Sequence, residues 1–204
     1  MDYDFDKMYT ELMSSLSSIE GIEPSLVPDL ELYMDQVLSF MNKNLAKTLR
    51  DKDDKTLTKT MINNYAKNKI FPSPVKKRYT KDHMLTLMLI YYFKNILSIN
   101  DIGKLLTPIT ETYFTPEAGI DMEAIYREVY QLETTHLPEV LKQIEDAHIL
   151  AKSAFTDTYM DKDEREYLEI FTFISTLCFD IYTKKLLVEK MIDRLENVDP
   201  KKKR

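Results

Sequence analysis

The stretch Leu57-Thr-Lys-Thr-Met-Ile-Asn-Asn-Tyr-Ala-Lys-Asn-Lys-Ile70, followed by Phe71-Pro-Ser-Pro74, Arg78-Tyr79-Thr80 and Leu97-Ser-Ile-Asn-Asp-Ile-Gly-Lys-Leu-Leu106, decides how the chain is read. Its first part has the period of a helix. Leu57, Met61, Ile62 and Tyr65 fall on one face and Lys59, Thr60, Asn63, Asn64 and Lys67 on the other, because residues three and four apart lie above one another. Thr56 or Thr58 caps this helix, which reaches about Asn68. Pro72 and Pro74 end it, and Lys76-Lys-Arg78 follows as an extended or hairpin-like segment. Thr80 then caps an apolar helix from Lys81 to about Ile96 that belongs in the middle of a core, and a shorter helix from Ser98 or Asn100 to Leu106 is stopped by Pro108.

Upstream, Leu30, Tyr33, Met34, Val37, Leu38, Met41 and Leu45 form the apolar stripe of a helix from Asp29 to about Leu49. Before it, Phe5, Met8, Leu12, Leu16 and Ile19 mark a short amphipathic helix that Gly21, Pro24 and Pro28 bring to an end. Downstream, Thr107 to Ile120, with Pro108, Pro116 and Gly119, reads as a boundary. Met122, Ile125, Val129 and Leu132 start a further helix that Pro138 separates from a continuation, Glu139 to Phe155. A last helix, Asp161 to Asn197, carries Tyr167, Ile170, Ile174, Leu177, Ile181, Val188, Met191 and Leu195 as a heptad seam broken only at Lys184. Three segments result: 1–28, an N-terminal helix and linker; 29–110; and 111–204, a C-terminal helical region. With three glycines among 204 residues and abundant helix formers, the expected class is all-α.

The formal charge of −6 hides a polar distribution. From Lys43 to Lys81 there are 12 basic and three acidic residues, so this window carries +9, and −6 less +9 leaves −15 on the remainder. A basic face on an acidic body is the footprint of a polyanion partner. The single cysteine, Cys178, allows no internal disulfide, and the start Met1-Asp-Tyr-Asp-Phe5 lacks the basic and apolar regions of a secretion signal. A cytoplasmic location is therefore expected. The most apolar run, Met84 to Phe93, is too short to span a bilayer, so no membrane is expected as a partner.

The ordered segments from Leu57 to Leu106 resemble the MerR-type winged helix-turn-helix. In that family a recognition helix ending in tyrosine leads to an apolar-proline step, a wing closing on Arg-Tyr-Ser/Thr, a long core helix, and a short helix of the form Leu-Ser-Ile-x-Asp/Glu-Ile-x-x-Leu-Leu. Tyr65, Ile70 with Pro72, Arg78-Tyr79-Thr80 and Leu97 to Leu106 occupy those places here. With Leu32-Tyr-Met-Asp-Gln-Val37 ahead of it, the stretch is similar to an uncharacterised bacterial family of MerR-like proteins catalogued as a domain of unknown function, DUF1836. The wing is abbreviated, the first helix of 29–49 is longer than usual, and Asn63 stands where an arginine commonly precedes the tyrosine. The resemblance implies a winged helix-turn-helix over 29–110, a C-terminal helical hairpin or bundle that forms a homodimer, and binding to double-stranded DNA as a transcription regulator.

In such a complex lysine and arginine on phosphates supply affinity, while short polar side chains on a helix in the major groove read base edges. Thr60, Asn63 and Asn64 on the 56–68 helix are the candidate base readers, since a carboxamide bonds both edge atoms of adenine. Lys59 and Lys67, with Lys76, Lys77 and Arg78 of the 76–81 segment, are the candidate phosphate contacts. Tyr65, Tyr79 and Met61 are expected to pack.

Other chemistry finds little purchase. His83, His136 and His148 have no ligand-like spacing, so no metal or other cofactor is expected, and each is read as an ordinary surface or partly buried histidine. Cys178, between Leu177 and Phe179, reads as a small apolar core residue. No Gly-rich phosphate loop, Gly-x-Ser-x-Gly or His-Glu-x-x-His occurs, and Asp53 and Asp54 sit in a solvated linker, so no enzyme is expected. The aromatics Tyr159, Tyr167, Phe171, Phe173, Phe179 and Tyr182 read as core before they read as the lining of an effector pocket. The rival to a DNA-binding regulator is a protein-interaction module that keeps the winged-helix shape without DNA contact.

Overall fold

The computed structural model describes residues 4–19, 21–51, 53–114, 119–156 and 159–198. Lys52, Pro116 and the basic tail Lys201 to Arg204, used in the charge count and the boundary above, lie outside them. Among the described residues the fold is mostly helical, with one two-stranded sheet: α1 (Phe5–Leu16), β1 (Leu32–Tyr33), α2 (Met34–Leu45), α3 (Lys59–Lys67), β2 (Arg78–Tyr79), α4 (Lys81–Phe93), α5 (Ile99–Tyr113), α6 (Met122–Lys152) and α7 (Lys162–Val198). By contacts the chain divides into two units. One comprises Gly21–Leu132 and Val188–Arg204, the other Met1–Glu20 and Glu133–Leu187.

The larger unit is built around α4. Every residue from His83 to Tyr91 is buried, so this helix has no solvent face and needs neighbours all round. They come from the amphipathic helices. Val37, Met41 and Leu45 of α2, Ile62 and Tyr65 of α3, and Ile102 and Leu106 of α5 join the same core, with Met122, Tyr126 and Ile192. The Tyr126 hydroxyl is not orphaned there, because it donates to the carbonyl of Ile22 at 2.9 Å. β1 pairs antiparallel with β2 in the register Leu32 to Tyr79 and Tyr33 to Arg78. Alternation then splits the four side chains cleanly: Leu32 and Tyr79 are buried, Tyr33 and Arg78 exposed.

Several sequence expectations are corrected. The helix expected over 29–49 begins only at Met34, because Leu32 and Tyr33 are drawn into the sheet and the Gln36 side chain caps the Tyr33 amide at 2.8 Å. Leu30, assigned to its buried stripe, is exposed. α4 stops at Phe93, three residues short of Ile96. Pro108 does not end α5, which continues to Tyr113; losing one amide costs about 3 kcal/mol, and burial of Thr110 beyond it favours continuation. Pro138 likewise lies inside an unbroken α6.

The smaller unit has a thin core. Phe5 of α1 is buried against the ring of His148 (4.6 Å between centroids) and Phe173 (5.6 Å), while Tyr9 stacks on His148 at 3.8 Å. Lys152 lies between Asp6 at 3.0 Å and the buried Glu169 at 3.5 Å. Met8, Leu12 and Leu16 of the expected α1 stripe remain exposed, as do Tyr167, Ile174 and Ile181 of the heptad seam. Cys178, expected in the core, is exposed, and so are Tyr159, Phe171, Phe179 and Tyr182.

His83 is the other correction, since it is buried and structural. The Thr80 amide donates to its Nδ1 at 3.1 Å, which leaves the proton on Nε2 to be donated to the Pro72 carbonyl at 2.9 Å. The rings of Phe71, Tyr79 and Phe114 stand edge-on around it. Burial pushes its pKa below the ordinary imidazole value. The unfolded chain takes up that proton near pH 6.5, roughly, so the stability His83 contributes is fully present above that value and lost as the pH falls towards its lower folded value. Urea unfolding compared at pH 7 and pH 5 is expected to show this loss. His83→Gln should lower the midpoint at pH 7 and flatten the dependence without abolishing it, because burial displaces His148 in the same direction.

Candidate nucleic-acid interface

Thr58 starts α3, its Oγ1 accepting the Met61 amide at 3.2 Å. Ile62 and Tyr65 turn inwards, and burial raises the pKa of the Tyr65 hydroxyl. One turn of the wheel away, Lys59, Thr60, Asn63, Asn64 and Lys67 are all exposed. The structure thus places the five α3 candidates on one solvent face, as their spacing requires. Asn64 also borders a shallow concavity shared with Lys94 and Leu97.

The end of α3 is closed by two backbone bonds, from the Ile70 amide to the Tyr65 carbonyl (3.1 Å) and from the Lys69 amide to the Ala66 carbonyl (3.0 Å). This is the Schellman arrangement, in which the residue after the cap takes a left-handed conformation, usually as glycine. Here it is Lys69, with φ of 57°. The segment that follows is fastened from outside. Thr107 Oγ1 donates to the Lys69 carbonyl at 3.3 Å, Thr110 Oγ1 to the Ile70 carbonyl at 2.9 Å, and His83 to that of Pro72. α3 and the hairpin beyond it are therefore held to the same two helices, α4 and α5.

The hairpin is tight. Val75 bridges Arg78, whose amide donates to the Val75 carbonyl at 3.0 Å, and the two residues between them, Lys76 and Lys77, have φ of 51° and 62°. Positive φ at both positions is the type I′ pattern that normally selects Asn-Gly. Both lysine side chains are exposed. Arg78 is engaged: its Nη1 donates to Glu31 Oε2 at 3.0 Å, and its guanidinium lies 5.8 Å from the Tyr33 ring centroid. The Glu31 hydrogen bond raises the Arg78 pKa first, followed by Tyr33.

Sequence reasoning missed Glu31. The signal was the alternation Glu31-Leu32-Tyr33 facing Arg78-Tyr79, which a helical reading of 29–49 obscured. Among the described residues no group of three or more His, Cys, Asp or Glu is placed to hold a metal ion, and no helix is long and apolar enough to cross a membrane.

Three lysines in left-handed backbone conformations are costly, because Cβ crowds the following carbonyl by about 1 kcal/mol or more per residue. Lys69→Gly and the pair Lys76→Asn/Lys77→Gly are each expected to raise the unfolding free energy, by about 1 kcal/mol per relieved position. Urea titration of the variants measures it, and unchanged or lower midpoints would contradict the strain.

A family model described as "Domain of unknown function (DUF1836)" matches residues 22–129, more than half of the chain, and the chain belongs to that family. No curated protein and no solved structure matches it.

Proposed function

We propose that this member of the DUF1836 family binds double-stranded DNA through a winged helix-turn-helix and acts as a transcription regulator. α2 and α3 form the helix-turn-helix, α3 enters the major groove, and the Val75–Arg78 hairpin is the wing. The carrying observation is that Lys69, Lys76 and Lys77 occupy left-handed positions where glycine or asparagine fits with less strain. Strained residues concentrate at functional sites, and the strained positions between α3 and β2 all carry positive charge. The exposed α3 face supports the same reading, with Thr60, Asn63 and Asn64 to read base edges and Lys59 and Lys67 to meet phosphates.

The dimer is part of this proposal. Tyr167, Ile174, Ile181, Met191 and Leu195 of the α7 seam are all more than half exposed in the single chain. Apolar heptad positions left in water favour a partner helix, and a two-fold dimer would present two α3 helices to two half-sites.

The test is titration of the purified protein with fragments of its own upstream region at two salt concentrations. The logarithm of affinity is expected to fall linearly with the logarithm of salt, and Lys76→Ala/Lys77→Ala should reduce that slope by about 0.9 per lost phosphate contact. Asn63→Ala should leave the slope unchanged and relax sequence preference by about 1–3 kcal/mol at the base it reads. No binding by the unaltered protein even at low salt would sink the proposal and promote the protein-interaction module.

A further inference from the structure

Glu31 and Tyr33 are two residues apart on an extended segment and share a face; Arg78 is the cross-strand partner of Tyr33, so all three side chains meet on the solvent side of the sheet. Glu31 takes one of the five guanidinium donors of Arg78 at 3.0 Å, and Tyr33 lies beneath it. We propose that Glu31 is an internal competitor for DNA: it occupies Arg78 at the base of the hairpin, and a phosphate reaches that arginine only by displacing the carboxylate. The proposal rests on the DNA reading above and names a regulation of the same surface.

The chemistry of the two acceptors carries the competition. Carboxylate and phosphate are recognised by the same planar fork of N–H donors, so Glu31 offers Arg78 what a phosphate would. A phosphate that used only the remaining donors would still lie close to the Glu31 charge and be repelled by it. The contact is also reversible. The Arg78 and Glu31 side chains are 47% and 50% exposed, so water and salt reach the pair and its exchange is not blocked by packing. Lys76 and Lys77, at the tip of the hairpin, are outside that geometry because the type I′ turn carries them beyond the paired strands. The hairpin therefore has two tip cations exposed for phosphate and a third held in reserve at its base.

Two outcomes separate a competitor from an orienting partner. If Glu31 competes, Glu31→Gln keeps the side-chain size, removes the charge and releases Arg78. Affinity for a DNA fragment should then rise about 3- to 10-fold, with the salt slope steeper by about 0.9. If Glu31 instead points Arg78 at DNA, the same substitution lowers affinity. The arginine completes a double-mutant cycle: Arg78→Ala leaves the Glu31 charge unpaired and should weaken binding, and in the Glu31→Gln background it should bring affinity and salt slope back to about those of the unaltered protein. Equal melting temperatures for the four proteins show that the exposed changes leave the fold intact.

The experiment is the four-protein titration at two salt concentrations, with fragments of the protein's own upstream region. Tighter, more salt-sensitive binding by Glu31→Gln that depends on Arg78 is the expected result. Binding by the unaltered protein with no gain, or a loss, in Glu31→Gln overturns the competitor while the DNA reading stands. Failure of both the unaltered protein and Glu31→Gln to bind at low salt overturns both.

Discussion

Nine consecutive side chains of α4, from His83 to Tyr91, are withdrawn from water, and the larger unit is arranged by the need to cover them on all sides. Burying an apolar side chain of this size is worth about 1.5–3 kcal/mol, so a helix with no solvent face gathers more stabilisation than any amphipathic neighbour. It also admits no polar group without an internal partner. Thr86 meets that demand by donating to the Asp82 carbonyl at 2.8 Å, and His83 by bonding at both ring nitrogens. α2, α3 and α5 each supply an apolar face to α4, and their polar faces are left outside by default. The exposed row on α3 is thus a consequence of core packing before it is anything else.

The second constraint is attachment. In the proposed DNA complex, a helix in a groove and a hairpin on the backbone work together only if their spacing is fixed. Three carbonyls between them, of Lys69, Ile70 and Pro72, accept hydrogen bonds from Thr107, Thr110 and His83. The linker is thereby tied to α4 and α5 along its length. The smaller unit is organised on another principle, with Lys152 set between Asp6 and Glu169 beside the Phe5, Tyr9, His148 and Phe173 rings. Its few buried side chains leave most apolar positions of α1 and α7 in water.

Much of this was legible in the chain. The period of 3.6 with Thr56 or Thr58 as cap located α3 and its two faces, and the apolar run at 84–93 identified the central helix. Charge counting found the basic segment. What failed did so where a local rule met a longer-range interaction. Pro108 and Pro138 were read as stops because a proline removes a hydrogen bond, but the flanking turns of α5 and α6 continue past them. Tyr33 fits the helical stripe, yet it and Leu32 pair with residues 78 and 79, far away in sequence, and are pulled into a sheet. That mistake hid Glu31, and with it the fact that one of the best phosphate candidates, Arg78, already has an anion beside it. Seams pose the opposite problem. The α7 heptads were visible, but a repeat specifies that a partner exists and not which chain provides it.

The sheet of two residues per strand has a consequence for the order in which the molecule assembles. Its register joins positions 32 and 33 to 78 and 79, enclosing α2 and α3 in the loop, so its closure carries an entropy cost that forming those helices does not. So short a ladder contributes little of its own to hold it shut. It is expected to close late and open early, and its amides should exchange with solvent through local opening rather than with the slow protons of α4. The hairpin that carries the lysines thus closes on a short ladder beside a fully buried helix, and anything that binds its tip also tightens the closure behind it.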